Sequence, residues 1–158
     1  MAELDGAIVE LAATRLRGSA KFGSRVKIDH AFFGLDAYDK VINSGVDVVL
    51  LATPPGFRPQ HLPAAVHATK HVFFEKPCAT DAPGVRDVMA AQKLSQSKNL
   101  ALVAGFCWRY NNMIKDAVQQ VRDGAIGRPV SHYYTDYTNP LRPMRRESAR
   151  PPGVRDTG

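Results

Sequence analysis

Three short stretches carry the side chains whose types can do chemistry: Thr53-Pro54-Pro55-Gly56 with His61, then Glu75-Lys76-Pro77, then Gly105-Phe106-Cys107-Trp108-Arg109-Tyr110. In the middle stretch a carboxylate and an ammonium directly follow the apolar run His71-Val72-Phe73-Phe74. A partly desolvated lysine beside a carboxylate can donate to a substrate hydroxyl, stabilise a developing alkoxide or shuttle a proton, and Pro77 holds the backbone of Lys76 extended. For so short a motif, a surface ion pair of little worth is the plain alternative. In the first stretch two prolines remove backbone donors and give a rigid, apolar-edged shelf for a flat ligand. It reads equally as a strand-to-helix loop, with His61 an ordinary residue of the first helical turn. In the third stretch Arg109 has the fork that suits phosphate or carboxylate, and Trp108 or Tyr110 can wall an aromatic ring; the alternative is aromatic core at a domain seam beside a solvated arginine. Cys78 has no His-and-acid arrangement around it, and Cys78 and Cys107 make no C-x-x-C or metal-ligand spacing. Two reduced, buried thiols in a reducing compartment are expected.

What must position these stretches is a set of alternating strands and helices. Val46 to Ala52, His71 to Phe74 and Leu100 to Phe106 are nearly continuous apolar runs, the texture of parallel strands covered on both faces. Between them run helical stripes: Leu62, Ala65, Val66 and Thr69; Val85, Val88 and Met89; Met113, Ile114, Ala117, Val118 and Val121. Asp36 is placed to cap a helix carrying Tyr38, Val41 and Ile42 and ending at Gly45; Thr80 or Asp81 is placed to cap the next long one, and Gly124 to end the last. The fold class is therefore α/β, a partial Rossmann-type doubly wound parallel sheet. In such sheets ligands bind beyond the carboxyl ends of the strands, where all three stretches lie. Ile8 to Ala13 is favoured as a strand over a helix, and the alternation from Val130 to Asp136 reads as a half-exposed strand beginning a second α/β domain. The expected organisation is residues 1–127 as an incomplete dinucleotide-binding domain, 128–139 as the start of a substrate domain, and 140–158 as a disordered tail.

Composition limits the alternatives. At 158 residues there is room for one ordinary domain, and 23% charged with 44% hydrophobic residues is globular, which excludes full-length disorder and collagen. No apolar run approaches the roughly 18 residues of a membrane helix, so no membrane partner is expected. Lys and Arg exceed Asp and Glu by 21 to 15, and half of the +6 charge lies in the Arg- and Pro-rich stretch after Pro140. No base-stacking or recognition-helix pattern accompanies it, so no specific nucleic-acid partner is expected. No export signal is read at the N-terminus, and a cytoplasmic location follows as an expectation.

Taken in order, Asp47 to Pro55 with His61, then His71 to Pro77, then Gly105 with Arg109-Tyr110, closely resemble the Gfo/Idh/MocA oxidoreductases, over about residues 31–137 and including Asp123-Gly124-Ala125-Ile126-Gly127. The resemblance implies NAD or NADP on a Rossmann domain and hydride transfer to or from sugars, inositols and related polyols, with a second domain building the substrate pocket. It implies that Thr53, Pro54, Pro55 and His61 line the cofactor and that Glu75 and Lys76 lie near the nicotinamide and the reacting hydroxyl. Trp108 and Arg109 would border nicotinamide and substrate. Lys76 is the implied catalytic residue, polarising the hydroxyl or holding a proton as the hydride leaves.

The departures are equally definite. No G-x-G-x-x-G occurs in the sequence, and no complete first strand, glycine turn and helix fits before Ala31. With Ile8 to Ala13 as second strand, Thr14 and Arg15 stand where an acidic residue would meet the ribose. His30, His67, His71 and His132 do not recover the Asp and His pair of the family's substrate domain. The expectation is a truncated family member whose activity these departures put in doubt; the alternative is a non-catalytic remnant that binds a small ligand or a partner. An unpaired edge strand would make it an oligomer or poorly soluble.

Overall fold

The computed structural model describes residues 1–135. Residues 1–108 form one compact unit and a second begins at Arg109. The first unit runs β1 (Ala2–Glu3), α1 (Gly6–Arg17), β2 (Phe32–Phe33), α2 (Ala37–Ile42), β3 (Val48–Leu51), a 3₁₀ turn (Pro55–Phe57), α3 (Arg58–His67), β4 (His71–Phe74), α4 (Ala82–Ser97) and β5 (Leu102–Ala104). All pairings are parallel: β1 with β2, and β3-β4-β5 with Leu51 opposite Phe74 and Phe74 opposite Ala104. The three long apolar runs are thus the three strands of the larger sheet, each followed by one of the chemically interesting loops.

The core lies on one side of that sheet, where Val49, Leu51, Val72 and Phe74 meet Ile42 of α2, Leu62, Ala65 and Val66 of α3, and Val88 and Ala91 of α4. Coverage of both faces, expected from the apolar runs, is not found among the described residues: Val48 and Leu50 point the other way and Leu50 is 74% exposed. All three helices that follow the β2-to-β5 path pack on the Val49–Leu51 side, so alternate residues of β3 are left outside the core.

Local chemistry explains most boundaries. Ile8 to Ala13 is helix, not strand: the Asp5 carboxylate accepts from the Ala7 amide at 2.8 Å, Val9 and Ala13 make the buried stripe, and Arg15 and Arg17 fall in the last turn. Asp36 precedes α2 without capping it through its side chain; its carboxylate instead pairs with Lys40 at 2.8 Å. Asp81, of the two candidates, caps α4 by accepting from the Gly84 amide at 2.8 Å, with Pro83 in the first turn. The buried face of α4 is Gly84, Val88, Ala91 and Ser95, while Val85 and Met89 are exposed. Thr69 lies beyond α3 at φ 61°, in the turn into β4, and the Lys98 ammonium donates to the Val66 and His67 carbonyls at 3.1 and 2.8 Å to close that helix.

In the second unit, α5 (Asn112–Arg122) starts at Asn111, whose side chain accepts from the Ile114 amide at 3.3 Å, and stops before Gly124 at φ 87°. The strand expected from Val130 is not found over 130–135, where these residues are exposed and no neighbouring strand bonds to them among the described residues. Asp136 and the expectations for residues 136–158 lie outside the described residues.

Candidate functional site

Strand ends build the site. Glu3 and Leu4 leave β1, Leu35 follows β2, and Thr53-Pro54 leaves β3; together with Tyr38 of α2 and His61 of α3 they line one apolar pocket. Pro54 has no N–H and sits extended at φ −54°, ψ 146°, so the chain leaves the sheet as a shelf before the 3₁₀ turn folds it back into α3. His61 is 6% exposed and lies between two aromatic rings, Tyr38 at 4.0 Å and 16° and Phe57 at 5.7 Å and 15°. Gln60 donates to the Tyr38 hydroxyl at 3.1 Å, which holds the first of those rings. Burial pushes the His61 imidazole below its ordinary pKa, so it is neutral at neutral pH.

Thr53 Oγ1, Arg58 Nε and His61 Nδ1 are buried side-chain polar atoms without a partner among the described residues. Two of the three belong to residues that line the pocket. Natural structures pair nearly all such atoms, so this concentration suits a polar ligand atom or water at the pocket. The flat, apolar walls with two unpaired polar atoms fit a planar heteroaromatic ring.

The loop after β4 carries Glu75, Lys76 and Pro77, all exposed, with a cis bond between Lys76 and Pro77. The partial desolvation considered for Lys76 is therefore not present in this unit. Its ammonium and the Glu75 carboxylate make no ion pair with each other. The Glu75 carboxylate lies over Gly105 at the end of β5: a Cβ there would come to 3.0 Å from Glu75 Oε2 and the side chain would have to move aside. Trp108 ends the first unit, 69% exposed, and Arg109 opens the second. Cys78 packs against the core as expected, but Cys107 is exposed, because β5 stops at Ala104 and the residue falls in the following 3₁₀ turn, Cys107–Tyr110.

Thus Thr53, Pro54 and His61 share one pocket, and Glu75 and Lys76 stand on the neighbouring strand end. Sequence reasoning missed Leu35, Tyr38, Phe57 and Arg58. Tyr38 stands on the expected helical stripe of α2, and Arg58 leaves no local pattern in the sequence. With the strand at Ala2–Glu3 rather than Ile8–Ala13, Leu4 and Asp5 follow it, the Asp5 carboxylate caps α1, and Thr14 and Arg15 fall within that helix. No cluster of three or more metal-binding side chains occurs among the described residues, and no helix there is long and apolar enough to cross a membrane.

Comparison with known proteins agrees with this arrangement. Residues 3–106 match the GFO_IDH_MocA model, described as an oxidoreductase family with an NAD-binding Rossmann fold. Inositol 2-dehydrogenase of Rhodococcus erythropolis is 29% identical over 127 residues, 80% of this chain and 34% of that one. Inositol 2-dehydrogenase 3 of Saccharopolyspora erythraea is 32% identical over 111 residues, 70% and 32% of the two chains. Among solved structures, apo scyllo-inositol dehydrogenase from Lactobacillus casei superposes with a TM-score of 0.60 at 26% identity, over 80% of this chain and 33% of its own. The chain spans about a third of the length of the relatives it matches. A parallel α/β sheet whose ligand-side loops carry these motifs, matched over residues 3–106, places the chain in the Gfo/Idh/MocA oxidoreductase family, with that family's Rossmann fold.

Proposed function

We propose that this chain is the nucleotide-carrying part of an NAD(P)-dependent dehydrogenase acting on a polyol or sugar hydroxyl. The observation that carries the reading is the meeting of the β1, β2 and β3 ends in a flat apolar pocket, one strand away from the Glu75-Lys76 loop. Leu35, Tyr38, Pro54 and His61 would hold the adenosine end, and Thr53 Oγ1, buried and unpaired, would meet one of its polar atoms. Pro55 keeps the shelf free of competing donors. The nicotinamide, when bound, supplies or accepts the hydride. Lys76 Nζ takes up the hydroxyl proton as the alcohol becomes a carbonyl and, in the reverse direction, donates that proton to the carbonyl oxygen, and Glu75 sets the charge beside it. Trp108, exposed at the end of the first unit, would border the reacting end as a flat wall. No residue is assigned to the diphosphate, since the sequence holds no G-x-G-x-x-G.

The domain boundaries expected from the sequence, the association of the chain with another copy or partner, and a cytoplasmic location form part of the same proposal. Exposure of Lys76 favours the second reading, a domain that binds nucleotide without turning over substrate by itself.

Thermal unfolding with and without millimolar NAD, NADH, NADP or NADPH tests both. One nucleotide raising the transition is the expected result, because a ligand held only by the native state stabilises it. Lys76→Ala should retain that shift and lower any turnover by about 100- to 10,000-fold, the usual worth of a positioned acid or base. A transition that no nucleotide moves would sink the proposal.

A further inference from the structure

The geometry points to Arg58 as a positioning residue that ties the cofactor shelf after β3 to the Lys76 loop after β4. Arg58 is the first residue of α3 and only 2% exposed. One guanidinium nitrogen, Nη2, donates to the Thr53 carbonyl at 2.7 Å, and Nη1 donates to the Pro77 carbonyl. Those carbonyls belong to loops that leave neighbouring parallel strands. The last backbone bond between the strands is from the Glu75 amide to the Leu51 carbonyl at 3.0 Å. Beyond it, among the described residues, the Arg58 bridge is what hydrogen-bonds one loop to the other.

Sequence explains why a side chain must do this. Prolines at 54, 55 and 77 strip three amide donors from the two loops, so the backbone cannot extend the ladder past the sheet. The loops keep all their carbonyl acceptors and lose three donors. A guanidinium supplies donors on a planar fork wide enough for two carbonyls, which the point charge of a lysine does not. Its burial is costly, since among the described residues no carboxylate partners it and its Nε is unpaired. A buried cation at a helix N-terminus also opposes the helix dipole. A residue kept only for packing would be better served by an apolar side chain of similar length, so the two carbonyl bonds are the positive reason for the arginine.

The consequence is geometric. Thr53 lines the pocket, and Lys76 immediately precedes Pro77. Fixing the Thr53 and Pro77 carbonyls to one rigid group sets the reach from the shelf to Lys76, and small errors in such a reach lower the rate of a bimolecular step sharply. The importance of that distance rests on the proposed function; the tie itself does not.

Nuclear magnetic resonance on the intact chain separates the two. In the unsubstituted protein the Arg58 Nη protons should exchange slowly and show contacts to Thr53 and Pro77. In Arg58→Met, backbone order parameters at Thr53, Gly56, Lys76 and Cys78 should fall together from about 0.85 to below about 0.6. Those of α4 and β4 should hold, and the unfolding temperature should move by no more than about 4 °C. Rapidly exchanging Arg58 protons without those contacts would overturn the inference, and this readout stands even where Arg58→Met fails to fold. Loops that stay ordered in Arg58→Met, or order lost equally in α4 and β4 of a variant that still folds, would overturn it also. Loosened loops in a protein that no nucleotide stabilises would leave the tie standing and remove the dehydrogenase reading instead.

Discussion

His61 shows how one buried side chain gives the domain a pH dependence. It lies between Tyr38 and Phe57, and burial holds its pKa below the ordinary value. In the unfolded chain the same imidazole protonates near about 6.5. Between those two values the unfolded state binds more protons than the native state, so stability rises with pH there and is lost as pH falls through the window. The unfolding temperature should therefore be level above about pH 7 and decline below about 6.5. His61→Phe keeps a ring between the two aromatics and removes the proton site, so its decline should be visibly shallower. Equal slopes for the two proteins over pH 7.5 to 5 would show that other groups set the dependence. Asp36, whose carboxyl the Lys40 ammonium holds below its ordinary pKa, is fully exposed and adds little, because solvent screens the pair.

At the scale of elements, the tightest junction is between α3 and α4. Gly84 stands in the first turn of α4, and a Cβ there would lie 2.7 Å from Pro59 Cγ and 2.8 Å from the Asp81 carboxylate that caps the helix. Gly84→Ala should gain up to about 1 kcal/mol of helix propensity yet lose about 1–3 kcal/mol by overpacking against a proline ring that has little room to turn. The net expectation is a lower urea midpoint with an unchanged slope; an equal or higher midpoint would mean the helices can part without cost. This junction also shows what sequence reading catches and misses. The β3, β4 and β5 runs were legible because long apolar stretches between turn residues have few other readings. Of the buried face of α4 only Val88 was legible, because Gly84, Ala91 and Ser95 are small and polar or neutral, and Val85 and Met89, read into the same stripe, face outward. Helix α1 was misread because Ile8 to Ala13 suits either period until the Asp5 cap is recognised. In the site, Thr53, Pro54 and Lys76 were legible as the residues following strands, whereas the aromatic pair around His61 and the Arg58 bridge join residues from separate elements and leave no local pattern.

The whole first unit is arranged as two parallel wings, β2-β1 and β3-β4-β5, with the pocket where the ends of β1 and β3 come together. In the common dinucleotide-binding order 3-2-1-4-5-6 such wings flank a central strand. Here β3 bonds to β4 on one side and, among the described residues, to no strand on the other, and the sheet face beside that edge exposes Val48, Leu50 and Val103. A free edge next to an apolar face is a template for pairing with another chain, and natural sheets blunt it with charge. Light scattering should therefore show apparent mass rising with concentration. Leu50→Lys places a charge on that face where the side chain is already 74% exposed. It should reduce the rise while changing stability by no more than about 0.5 kcal/mol, the usual range for surface substitutions. A mass that is constant with concentration in the unsubstituted chain, or one that rises equally in both proteins, would mean that the β3 edge does not drive association.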